Sequence, residues 1–91
     1  MLPFSEKESA HGIFIRKFSV DLEDDDLYWH RDREDRVISR VAGDDWFFQE
    51  DNCLPVPISS TPIFIRKGTW HRIIKGSSDL TIEVIKRDQI K

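Results

Sequence analysis

One cysteine, four glycines, four prolines and no long apolar run mark what this 91-residue chain does without. Cys53 alone cannot close an intramolecular disulfide and stands in no metal-ligand spacing. A disulfide scaffold and a zinc ribbon are therefore both excluded, and a reducing compartment fits. Free cysteine tends to bury as a small apolar side chain, so Cys53 is expected inside. No window approaches ~18 consecutive apolar residues, which excludes a membrane-spanning helix. The opening MLPFSEKESAHG lacks the basic stretch and apolar run of a secretory signal, and the expected location is the cytoplasm. A basic excess is missing too: fourteen Lys and Arg stand against seventeen Asp and Glu, interspersed, for a net charge of −3. No phosphate-binding face results, so no nucleic-acid partner is expected. The acidic run Asp21 to Asp26 lacks the spaced oxygens and turn glycine of a calcium loop and reads as a solvated loop. Helical periodicity is also absent, while short β-branched and aromatic runs recur between turn-formers.

What is present suits a small all-β domain. A chain of this length buries roughly 60–65% of the surface its unfolded form exposes, enough for one core. Residues 1–91 are read as a single domain with 1–12 as an N-terminal arm. Trp29, Trp46, Trp70 and six phenylalanines supply large apolar area from few residues, and so small a core makes a homodimer an expected partner arrangement. Strands are expected over Gly12 to Val20, Leu27 to Asp32, Arg36 to Val41, Trp46 to Asp51, Pro62 to Arg66, Trp70 to Lys75 and Leu80 to Lys86. Asn52 to Ser60, with Pro55 and Pro57, belongs at an edge or in a loop. About eight short strands joined by tight turns argue a barrel or sandwich.

With Arg33-Glu34-Asp35 as a hairpin turn, Asp32 stands opposite Arg36, His30 opposite Ile38 and Tyr28 opposite Arg40, so these six share one face. A second hairpin through Asp44-Asp45 brings Gln49 opposite Arg40. The other face carries Leu27, Trp29, Val37, Ser39 and Val41 and is the more apolar, so simple patterning alone would turn it inward and put His30 and Arg36 on the surface. Trp29 and Trp70 are expected to pack rather than to cage a ligand, and His11 is expected to be exposed.

The chain resembles the cupin family on two stretches. His30-x-Asp32, three residues, Arg36, six residues and Gly43 fall on the spacing of the first cupin motif, His-x-His, three or four residues, Glu, six residues, Gly. Ser60, five residues, Arg66-Lys67-Gly68, two residues and His71 fall on that of the second, Gly, five residues, Pro-x-Gly, two residues, His. The resemblance implies a small double-stranded β-helix, or jelly-roll, barrel, and it implies that His71 arrives from a facing strand beside His30. Period-two alternation sets the Cα atoms of His30 and Asp32 roughly 7 Å apart on one face. Two histidines and one carboxylate can hold a divalent transition ion, Fe, Mn, Ni or Zn, with open coordination positions. For any turnover the resemblance points to metal-dependent oxygenase or isomerase chemistry. Arg36 opposes this: paired bidentately with Asp32 it takes the carboxylate and adds positive charge. Two readings follow. In one, His30, Asp32 and His71 bind a metal while arginines engage an anionic small molecule. In the other, Tyr28, Arg36, Arg40 and Gln49 line a metal-free pocket for a sugar acid, phosphate or other small anion.

Overall fold

The computed structural model describes residues 3–87. It contains eight strands and almost no helix: β1 (Phe4–Ala10), β2 (Ile13–Phe18), β3 (Asp35–Ala42), β4 (Phe47–Glu50), β5 (Val56–Pro57), β6 (Ile63–Ile65), β7 (His71–Ile74) and β8 (Leu80–Arg87). A five-stranded antiparallel sheet runs in the order β1-β2-β8-β3-β6, and a three-stranded one in the order β5-β4-β7. The two sheets are the halves of a β-barrel closed around one core.

Strand β8 is central because its sequence alternates most cleanly. Leu80, Ile82 and Val84 are buried, whereas Thr81, Glu83 and Ile85 are only partly covered. Burying each of the three side chains contributes about 1.5–3 kcal/mol. They meet Phe18, Ile38 and Ile65 from neighbouring strands and Phe48 from the opposite sheet. Trp46, 1% exposed, anchors the end of this core and satisfies its indole by donating Nε1–H to the Ser78 carbonyl at 2.6 Å. Gly43 ends β3 at φ 113°, and a Cβ there would run into the Asp79 carbonyl and come within 2.9 Å of the Leu80 Cα. Only glycine lets the chain leave β3 against the start of β8.

Several local expectations are corrected. Phe4–Ala10, expected within an arm, is an edge strand paired with β2, and residues 1 and 2 lie outside the described residues. Leu27 to Asp32 is not a strand and forms no hairpin with β3, whose partners are β6 and β8. Nor does β4 return along β3; it pairs with β5 and β7, so Gln49 lies opposite Arg72 rather than Arg40. Long-range pairing outcompetes the local turns because it closes the barrel and leaves fewer exposed edges. Cys53, expected to be buried, is exposed in the loop after β4. Asp21 to Asp26 stays in solvent, with one short 3₁₀ turn at Asp24–Asp26. Ile38 points inward and Val41, 60% exposed, points outward, so the apolar face does not turn in as a unit. Leu27 is the exception to its predicted face and is buried.

Candidate metal centre

The segment between the acidic loop and β3 touches the barrel at one isolated bridge, His30 to His71. The His30 N–H donates to the His71 carbonyl at 3.0 Å, and the His71 N–H donates back at 2.9 Å. In antiparallel geometry such a pair sends both side chains to the same side. The imidazole centroids accordingly lie 4.3 Å apart in an edge-on arrangement. Two more hydrogen bonds, both from main-chain donors, hold this register: Gly68 N–H to the Asp32 carbonyl at 2.8 Å, and Lys67 N–H to the Asp35 side-chain carboxylate at 2.8 Å. Both donors come from the turn before β7, which Gly68 allows by adopting φ 78°.

The two rings are oriented alike. His30 Nδ1 faces the Tyr28 carbonyl at 3.2 Å and His71 Nδ1 faces the Thr69 carbonyl at 2.8 Å. A carbonyl only accepts, so Nδ1 carries the proton, and in the neutral ring Nε2 is left with a free lone pair. This backbone-fixed tautomer is the one a metal ligand needs. Between the two Nε2 atoms lies Asp32, its side chain 7% exposed, with Oδ2 3.3 Å from His71 Nε2 and Oδ1 4.0 Å from His30 Nε2. Asp32 Oδ2 is buried and accepts no hydrogen bond among the described residues. A carboxylate oxygen facing an imidazole lone pair is repulsive until a cation sits between them, either a proton or a metal ion.

Donor atoms of His30, Asp32 and His71 all lie within 4.8 Å of one another. Two ligands at about 2.1 Å from one ion stand at most about 4.2 Å apart. The donors therefore need to close by no more than about 0.6 Å. The residues present therefore fit a metal ion.

Arg36 divides its attention. Its Nε donates to Glu34 Oε2 at 2.6 Å, while Nη1 lies 3.4 Å from Asp32 Oδ1. The expected bidentate pair with Asp32 is not made; Glu34 holds the guanidinium, and Oδ2 stays open. Burial alone would raise the Asp32 carboxyl, but a hydrogen bond from protonated His71 and the charges of Arg36 and of protonated His30 outweigh it, holding the group below the usual carboxylate range when the histidines carry charge. Burial lowers the His30 ring below its ordinary value, with His71 adding to the shift, although the Tyr28 carbonyl opposes it.

The three donors line a cavity of about 290 Å³ whose walls are mostly apolar, with Ile38, Phe48, Ile65 and Val84 among them, although Asp26 and two arginines line it as well. Tyr28 lines it but is 65% exposed, and its clearest contribution is the carbonyl that orients His30. Arg36 also lines it. Arg40 and Gln49 are absent from the lining. Arg40 donates its backbone N–H to the Ser59 carbonyl, and Gln49 bonds the Cys53 carbonyl and Arg72. The hairpins that would have aimed them inward do not form. Arg16, which the sequence reading leaves out, does line the cavity. Its signal is a charge between Phe14 and Phe18 on one face of β2. Trp29 and Trp70 are partly exposed and lie beneath Arg72 and Arg31, at 4.9 and 5.1 Å from guanidinium carbon to ring centroid.

No protein-family model matches this chain, and no curated protein matches it. Solved structures do. The chain is 15% identical to a cupin-2 domain protein from Shewanella frigidimarina over 91% of its own length and 80% of that chain, with a TM-score of 0.63. A cupin domain from Bordetella pertussis is 10% identical over 93% of this chain and 92% of that one, with a TM-score of 0.58. A structure of Fe(II) HppE superposes at a TM-score of 0.63 and 11% identity over 82% of this chain, which spans only 41% of HppE. Two antiparallel sheets, eight short strands and these likenesses show that the chain has the cupin fold, with a His-Asp-His group at the polar end of its cavity.

Proposed function

We propose that His30, Asp32 and His71 hold one divalent transition ion, Fe, Mn, Ni or Zn, and that Arg36 engages an anionic small molecule beside it. The observation that carries this reading is Asp32 Oδ2, buried without a hydrogen bond among the described residues and facing the Nε2 of a histidine whose other nitrogen is committed to a backbone carbonyl. Three protein ligands leave coordination positions open, and an ion so held supplies a Lewis acid or a dioxygen-binding centre. Oxygenase or isomerase chemistry suits such a site, and the Fe(II) carried by HppE supports a metal in a barrel of this shape. Calorimetric titration with Fe(II), Mn(II), Ni(II) and Zn(II) tests it. One equivalent of at least one ion is expected to bind, and His71→Ala is expected to abolish that binding. Failure of all four to bind stoichiometrically, or unchanged binding in the variant, overturns the proposal.

One observation favours a second reading, a metal-free binding module. Arg36 Nη1 approaches Asp32 Oδ1 at 3.4 Å, so Asp32 can serve to orient the arginine toward a sugar acid or phosphate. Elemental analysis of the purified protein separates the two, since the second requires a clean absence of metal together with thermal stabilisation by the anion. A homodimer is part of the proposal: Val41 and Phe64 are exposed on the outside of the five-stranded sheet, and a second copy would cover them. A monomer in sedimentation at tens of micromolar would remove that part. The free, exposed thiol of Cys53 suits a cytoplasmic location.

A further inference from the structure

We infer that Arg16 anchors the ligand and that the ligand is a small carboxylate with an apolar body; the inference rests on the metal reading above. Arg16 enters the cavity from β2, opposite Glu6 on β1. Its Nε and Nη2 both donate to the same Glu6 oxygen, at 2.8 and 2.5 Å, and its guanidinium lies over the Phe4 ring at 3.8 Å. That clamp fixes the plane of the group and leaves Nη1 with no hydrogen bond among the described residues. Glu6 is shared, since Lys86 Nζ also reaches it at 3.3 Å.

The charges around the cavity are nearly balanced. Arg16, Arg36 and Lys86 stand against Glu6, Asp32, Glu34 and Asp26, the last of which also lines the cavity, for a net charge of −1 when the histidines are neutral, as metal ligands are. A divalent ion therefore leaves one uncompensated positive charge beside the apolar walls of Ile38, Phe48, Ile65 and Val84. In so apolar a space that charge calls for an anionic ligand. The planar, fixed guanidinium edge matches a carboxylate. Ligand cavities span ~300–1,000 Å³, so a volume of about 290 Å³ admits only a small molecule. Inorganic phosphate would meet the charge but leave the apolar walls unfilled. An aliphatic carboxylate satisfies both.

The test titrates 4-methylpentanoate, its neutral amide and inorganic phosphate into zinc-loaded and metal-free protein. The carboxylate is expected to bind the zinc-loaded form best, with the amide and phosphate at least about tenfold weaker. Arg16→Gln is expected to weaken the carboxylate at least about tenfold while leaving zinc affinity unchanged. Because that variant unpairs Glu6 at a cost in stability, Glu6→Gln supplies an independent readout: it removes the charge that competes for Arg16 while its amide oxygen still holds the guanidinium in plane, and is expected to tighten carboxylate binding, which a purely structural role for the pair would not do. Equal binding of amide or phosphate, or carboxylate affinity indifferent to both variants, overturns the inference. Zinc binding without carboxylate binding overturns it and leaves the metal reading standing. Absence of zinc binding overturns the metal reading instead, and Arg16 then stands or falls on the metal-free titration.

Discussion

Replacing Asp32 by Asn separates a metal ligand from a structural ion-pair partner by the sign of its effect. In the metal-free protein with neutral His71, the change removes a buried negative charge whose Oδ2 has no donor among the described residues and which faces the His71 Nε2 lone pair at 3.3 Å. An amide placed there donates to that lone pair. Arg36 is not stranded, because Glu34 holds its Nε at 2.6 Å. One hydrogen bond gained and one desolvated charge removed stabilise by about 1 kcal/mol, which for a domain this size raises Tm by roughly 4–8 °C. The metal response should vanish at the same time. Zinc at about 100 times its Kd stabilises the native protein by ~2.7 kcal/mol, a rise of roughly 11–22 °C at that sensitivity. The variant should show almost none of it. Differential scanning calorimetry with and without zinc measures both numbers on one sample. The opposite result refutes the reasoning: if Asp32→Asn lowers the metal-free Tm by more than about 10 °C, the carboxylate is a partner in a charged His71-Asp32-Arg36 network, whose breakage costs about 3–5 kcal/mol.

Glu34→Gln should release Arg36 to pair fully with Asp32 and so weaken zinc binding by about tenfold, the lower end for a residue that orients a ligand's surroundings; unchanged affinity by calorimetry would show that Arg36 does not compete. Because burial holds the folded His30 ring below its ordinary value near 6.5, the unfolded chain binds the extra proton first. His30 thus lowers metal-free stability as pH falls from about 6.5 through its depressed folded value, and urea denaturation at pH 7 and pH 5.5 should show a drop that His30→Asn reduces. Gly43→Ala should cost about 2–3 kcal/mol, from positive φ and the collision with Asp79 and Leu80, whereas Gly68→Ala, with open space around it, should cost only about 1–2 kcal/mol. Equal losses in urea denaturation would contradict the close approach at Gly43.

The parts of the site legible in the sequence are those written in local spacing. His-x-Asp is two residues, and the second motif fixes His71 relative to its turn glycine. The alternation of Leu80, Ile82 and Val84 likewise announces β8 without help. Pairing across the barrel is another matter. Nothing in the run LYWHRD says that only His30 will touch another strand, and its lack of clean alternation is the trace of that: Leu27 and His30, three apart, both turn inward, which a regular strand forbids. Arg40 and Gln49 are misleading for the same reason, since a plausible two-residue turn competes with partners more than twenty residues away. Strand β1 is hard to see because FSEKESA carries a single large apolar residue, as an exposed edge strand does.

The bridge between His30 and His71 also makes the main chain, rather than the side chains, the gauge of this centre. Two reciprocal backbone hydrogen bonds set the separation of positions 30 and 71 whatever stands there. The pair works as a socket with interchangeable pins. Thiols at both positions would stand at a spacing a disulfide can span, about 5.5 Å between Cα atoms. A single thiol would soften the donor set toward copper(I) or zinc. Divergence in ligand chemistry at these positions therefore requires no rebuilding of the barrel around them.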